Sequence, residues 1–99
     1  MDQGVGYALR EEYIHDGKMV DYVTFKFPTI TDSFDIEIVA RETPRSNGPL
    51  GATGVGEMTM VSTAPAVINA IRNACGVRIH NLPATPPKVS AALTALRNN

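Results

Sequence analysis

Apolar positions along the chain follow two periods, one helical and one of strand type. From Gly4 to Tyr13, Val5, Leu9 and Tyr13 stand at i, i+4 and i+8 with Arg10, Glu11 and Glu12 off the stripe, which predicts an amphipathic helix broken by Asp16-Gly17. Between Met19 and Phe27 the residues Val20, Tyr22, Val23, Thr24, Phe25 and Phe27 are β-branched or aromatic, and they predict a strand ended by Pro28. The clearest strand pattern is Phe34-Asp35-Ile36-Glu37-Ile38-Val39-Ala40, where Phe34, Ile36, Ile38 and Ala40 alternate against Asp35 and Glu37. Further on, Ser62-Thr63-Ala64-Pro65 offers a hydroxyl cap and a first-turn proline, and Gly76 a left-handed stop. A helix over about 64–75 is expected, with Val67, Ile68, Ile71 and Ala74 on its apolar face. Val77-Arg78-Ile79-His80 predicts a short strand, and Thr85 caps a last helix that begins at Pro86 and carries Val89, Leu93 and Leu96. The expected fold class is α+β, three helices with a small antiparallel sheet.

Between the strand and helix patterns lies Gly48-Pro49-Leu50-Gly51-Ala52-Thr53-Gly54-Val55-Gly56-Glu57, which holds four of the eight glycines. Glycine allows positive φ and close approach of backbone to a ligand, so this composition suits a contact loop ending in one acid. The same residues also describe a plain connection whose Glu57 is favoured near a helix N-terminus. A dinucleotide fingerprint fits poorly, because the order is G-x-x-G-x-G and Gly48-Pro49 stands where a feeding strand should be.

Ninety-nine residues make one domain, near the size at which part of a core is borrowed from a partner. Nine basic and ten acidic residues give a net charge of -1 without a run of like sign, which argues against nucleic-acid or anionic-membrane binding. No apolar stretch is long enough to span a bilayer, and Met1-Asp2-Gln3-Gly4 lacks a signal-peptide profile, so a cytoplasmic location is expected. The single Cys75 reads as a small apolar group near a helix end. Cys75, His15 and His80 stand in separate elements without ligand spacing, so no metal site is expected from them. Asp35, Glu37, Glu11 and Glu12 read as solvated acids. Glu57 differs, because backbone N–H groups of a glycine loop can face a polar ligand beside it. A carboxylate so held can act as a general base.

The glycine loop, with Ala64-Pro65-Ala66-Val67-Ile68-Asn69-Ala70-Ile71, Gly76-Val77-Arg78-Ile79 and Leu82-Pro83-Ala84-Thr85-Pro86-Pro87-Lys88-Val89, resembles the C-terminal end of the molybdopterin-binding subunit of molybdenum hydroxylases. Those enzymes include xanthine dehydrogenases and aldehyde oxidoreductases. Gln3-Gly4-x-Gly6-x-Ala8-Leu9-x-Glu11-Glu12, Asp21-Tyr22 and Pro28-Thr29 before Asp32 carry the likeness back to Gln3. The resemblance implies that Glu57 is the general base in hydroxylation of an electron-poor carbon of an aldehyde or N-heterocycle, with Gly54, Val55 and Gly56 facing the molybdenum cofactor. It implies a piece of a larger molybdopterin-binding domain: 1–47 helix and strands, 48–57 loop, 58–99 helix, short strand and terminal helix. The implied partners are the remainder of the molybdopterin subunit and iron-sulfur and flavin domains or subunits. The isolated chain is expected to be inactive, to retain no cofactor and to self-associate through an exposed apolar surface. Thr53 stands where many members have lysine, and Met58 where many have proline after the glutamate, so no subgroup's substrate transfers. The contrasting reading is a non-catalytic interaction or assembly module that kept the fold.

Overall fold

Helix α1, Asp2–Leu9, is built to be approached closely. Gly4, Gly6 and Ala8 are buried, Ala8 completely, while Val5 and Leu9 are half-buried. In the computed structural model, which describes residues 1–18 and 21–98, α1 packs chiefly against α4, Thr63–Cys75. A Cβ added at Gly4 would lie 2.6 Å from the Cβ of Thr63, so only glycine permits this crossing. The remaining α-helical segments are the single turns α2, Tyr22–Phe25, and α3, Met58–Val61, and the terminal α5, Pro86–Arg97. Short 3-10 turns stand at Ile30–Asp32 and Pro49–Gly51.

Both long C-terminal helices form where their caps predict. α4 runs one residue earlier than expected and ends on Gly76 at φ 77°, whose N–H donates to the Arg72 carbonyl at 2.8 Å. α5 begins at Pro86 after Thr85. α1 is shorter than its apolar stripe predicts, and Tyr13 lies outside it, 68% exposed. A continuing helix would need the Ala8 carbonyl for the amide of Glu12. Here that carbonyl accepts the N–H of Ala84 at 2.6 Å instead.

The expected antiparallel sheet is not present: among the described residues there is no strand, and the fold is helical rather than α+β. Met19 and Val20, the first part of one expected strand, lie outside the described residues. The rest becomes α2, because Asp21 Oδ1 accepts both the backbone N–H of Thr24 at 2.7 Å and its hydroxyl at 2.9 Å, while Asp21 N donates to Thr24 Oγ1 at 3.1 Å. Local side-chain bonds of this kind initiate a helical turn and outweigh β propensity, which is strongly context-dependent. Phe34–Ala40 and Val77–His80 carry strand patterns without strand partners. A strand is a property of two segments, and no described segment pairs with either of these.

The core is thin. Ala8, Ala64, Val77 and Ala84 are its buried apolar residues, and none of the described side chains is large and fully buried. The solvent-accessible surface is 8352 Å², against about 5,500 Å² for a compact monomer of this mass. The radius of gyration, 17.6 Å, likewise exceeds the roughly 13 Å of a compact chain this long. We expect Gly4→Ala to destabilise the α1–α4 crossing by about 1–3 kcal/mol through overpacking against Thr63. Thermal unfolding followed by helical circular dichroism should show the loss, and Thr63→Gly in the same chain should recover part of it; an unchanged midpoint in Gly4→Ala would contradict this packing.

Candidate functional site

The glycine loop divides into a closed half and an open half. In residues 48–52 the amide of Gly51 donates to the Gly48 carbonyl at 3.0 Å and that of Ala52 to Pro49 at 2.9 Å. Arg45 N donates to Gly51 O at 3.1 Å, which fastens the turn to the preceding segment. Leu50 and Gly51 both have positive φ, 54° and 77°. Glycine meets that demand at 51 without strain, whereas Leu50 projects fully into solvent.

Residues 53–56 have no such internal bonds among those observed, and, apart from the adjoining residues, nothing lies within 4 Å of where a side chain would start on Gly54 or Gly56. Val55 is exposed between them. Glu57 then caps α3: its carbonyl accepts the amides of Met60 at 2.9 Å and Val61 at 3.2 Å. Its backbone is held and its exposed carboxylate has no capping bond. The four residues expected to form a site, Gly54, Val55, Gly56 and Glu57, are thus contiguous and uncovered. Two open grooves of about 660 and 550 Å³ lie elsewhere, one at the end of α4 beside Arg72, the other an apolar channel lined by Leu9, Ile71, Val89 and Leu93. Among the described residues no group of three or more His, Cys, Asp or Glu side chains is placed to hold a metal ion. A flat cofactor could reach the backbone of Gly54 and Gly56, so the loop fits one face of such a group; the opposite walls do not come from the described residues.

Ionic ties link the chain just beyond α1 to the 29–32 turn and to α5. Arg10 pairs with Asp32, and Thr29 donates both its amide and its hydroxyl to Asp32 Oδ2 at 2.8 Å. The Thr29 amide bond, with Arg10 beside it, holds the Asp32 carboxyl down at about 2. Lys88 Nζ meets Glu12 Oε1 at 2.7 Å, joining α5 to the chain just beyond α1. Glu12 is therefore a tie rather than a free acid. Glu11 also departs from expectation: its Oε1 is buried without a hydrogen-bond partner against Gly6, and burial pushes its carboxyl above the ordinary range. Sequence alone missed this, since nothing in Glu11-Glu12 says which acid turns inward.

No protein-family model matches the chain. Among individual proteins it is 47% identical over 94 residues to the aldehyde oxidoreductase of Megalodesulfovibrio gigas, covering 94% of this chain and 10% of that protein. It is 33% identical over 94 residues to a putative xanthine dehydrogenase molybdenum-binding subunit of Escherichia coli, covering 90% and 12%. The chain is homologous to molybdenum-binding oxidoreductase subunits. A third relative, the nicotine 6-hydroxylase large subunit of Paenarthrobacter nicotinovorans, is 34% identical over 97 residues, 91% of this chain and 12% of that one. The chain spans only about a tenth of the length of the relatives it matches. Among the described residues no helix is long and apolar enough to cross a membrane.

Of the three perturbed acids, Glu11 and Asp32 give opposite pH slopes, Asp21 being shifted downward like Asp32. Glu11 holds its proton more tightly when folded, so stability should fall as pH rises above its ordinary 4.5. Glu11→Gln should flatten that fall and raise the melting temperature at neutral pH. Asp32 stabilises above its ordinary 3.8, and that contribution is lost as pH falls through about 2. Melting temperatures across this range in Glu11→Gln and Asp32→Asn check both slopes; a variant profile parallel to the parent's would contradict either assignment.

Proposed function

We propose that this chain is the C-terminal part of the molybdopterin-binding domain of a molybdenum hydroxylase acting on aldehydes or N-heterocycles, with Glu57 as general base and Gly54, Val55 and Gly56 facing the cofactor. The observation that carries this reading is the 47% identity over 94% of the chain to an aldehyde oxidoreductase. The loop supports it, because Glu57 has a fixed backbone and a free carboxylate, next to glycines that nothing crowds.

The chemistry divides between cofactor and chain. The molybdenum cofactor, when bound, supplies the two-electron oxidation of the substrate carbon. Glu57 accepts the proton released as the oxygen nucleophile attacks, and the bonds from its carbonyl to Met60 and Val61 tie its main chain to α3. Gly54 and Gly56 let backbone N–H groups approach the cofactor at close range. The remainder of the subunit closes the site and excludes water, with iron-sulfur and flavin domains or subunits receiving the electrons. In this reading 1–47 and 58–99 are the supports of the 48–57 loop. The isolated chain neither retains cofactor nor turns over, since its loop is open to solvent.

An exchange experiment examines this. The 94-residue stretch replaces its counterpart in the Megalodesulfovibrio gigas aldehyde oxidoreductase. We expect an exchanged protein that loads molybdenum and oxidises an aldehyde, and a Glu57→Gln version that loads as much metal but turns over about 10²–10⁴-fold more slowly. Turnover in Glu57→Gln within a few-fold of its parent would rule out the base. A folded exchange protein that loads metal without any activity would instead favour the non-catalytic module.

A further inference from the structure

Between Glu57 and α4 the chain is held by very little. α3 is a single turn in which no residue is buried, and Met58 and Val61 are largely exposed. A turn of four residues does not sustain itself, because nucleating a helix costs more than one or two backbone bonds return. Its last carbonyls need partners from outside the turn, and Ser62 separates it from α4, which starts at Thr63. One side chain bridges that break. Thr63 Oγ1 donates to the Thr59 carbonyl at 2.8 Å, and among the described residues this is the one side-chain hydrogen bond between α3 and α4. Thr94 makes the same kind of bond to Ser90, but inside a continuous helix where the backbone ladder already fixes the chain. Thr63 differs from it in burial as well. It is 8% exposed with α1 lying over it, so that a Cβ on Gly4 would fall 3.0 Å from its Cγ2 and 3.1 Å from its Oγ1. A side chain so enclosed keeps one rotamer, and its hydroxyl has little water to turn to instead.

We propose that Thr63 is a positioning residue for Glu57. Its hydroxyl holds α3 to α4, and α3 holds the Glu57 main chain through the amides of Met60 and Val61. The inference rests on the reading of Glu57 as general base. A base works only within hydrogen-bond reach of the proton it takes, so a loosened turn costs rate and leaves substrate affinity alone. Buried under α1, Thr63 acts only through α3. The path from the α1–α4 crossing to the carboxylate is therefore short: Gly4 encloses Thr63, Thr63 fastens Thr59, and the turn carrying Thr59 carries Glu57.

Hydrogen exchange at the Met60 and Val61 amides of the purified 99-residue chain reads the turn directly. Thr63→Val keeps the branched shape and removes the hydroxyl. We expect it to speed exchange at those two amides about fivefold, while the amides of 67–75 in α4 keep their parent rates. Thr63→Ser, which retains the hydroxyl, should bring the two amides back. In the aldehyde oxidoreductase carrying the exchanged stretch, Thr63→Val should lower kcat about tenfold with KM and molybdenum loading unchanged, and Thr63→Ser should recover most of it. Added to Glu57→Gln, the same Thr63→Val should cost nothing further, as for two residues acting as one unit. A full loss on top of Glu57→Gln, unchanged exchange at Met60 and Val61, or a kcat that Thr63→Ser does not recover would each overturn the proposal. Turnover in Glu57→Gln close to its parent would remove the base itself, and this role with it, even where the amides show the turn loosened.

Discussion

Everything ordered in this chain leans on the crossing of α1 and α4, where Gly4 lets the helix backbone settle onto Thr63. Helices of a small protein normally meet through interdigitated large side chains. Here the contact is made by the absence of side chains, with Ala8 completely buried and Ala64 beside Thr63 on the facing helix. Such a contact brings the helices close without enclosing much apolar volume. It positions the 58–62 turn, and thereby Glu57, with a core made mostly of alanine.

That economy explains the surface. With no large described side chain fully buried, the chain leaves Ile30, Ile38, Val39 and Val61 in water. A domain of this length does not ordinarily tolerate so many exposed aliphatic residues unless they meet something. The match to about a tenth of each relative is consistent with the same picture from an independent direction. The catalytic reading and the surface are linked physically: a loop that would face a cofactor cannot be closed by a chain with so little mass behind it.

Much of the helical part was legible from residues alone, because caps are local. Thr85-Pro86 and Gly76 marked helix ends through one- and two-residue chemistry, and the structure places both there. The strands were illegible as strands for a matching reason. Alternation at Phe34–Ala40 reports which faces a segment would bury, but hydrogen bonding to a neighbour is decided by chain that the alternation does not describe. At Asp21 and Thr24 a pair of side chains overrode β-branched neighbours, and this bond set was readable in principle from the Asp-x-x-Thr spacing. The loop was read as a unit, whereas the fold shows a hydrogen-bonded turn at 48–52 followed by an open stretch at 53–56. Glu11 could not be told from Glu12 by pattern, since only the crevice beside Gly6 and Pro28 separates them.

The bond from Ala84 to Ala8 makes the length of the first helix a message from the far end of the chain. During synthesis, residues 2–13 leave the ribosome long before residue 84, and over that interval the Ala8 carbonyl is free for the amide of Glu12. The nascent helix is then at liberty to run on towards Tyr13, following its apolar stripe. With the 82–88 segment in place, the Ala8 carbonyl is taken by Ala84 and Glu12 is paired with Lys88. Tyr13, left outside a helix whose stripe includes it, marks where a contact from residue 84 outweighs local periodicity.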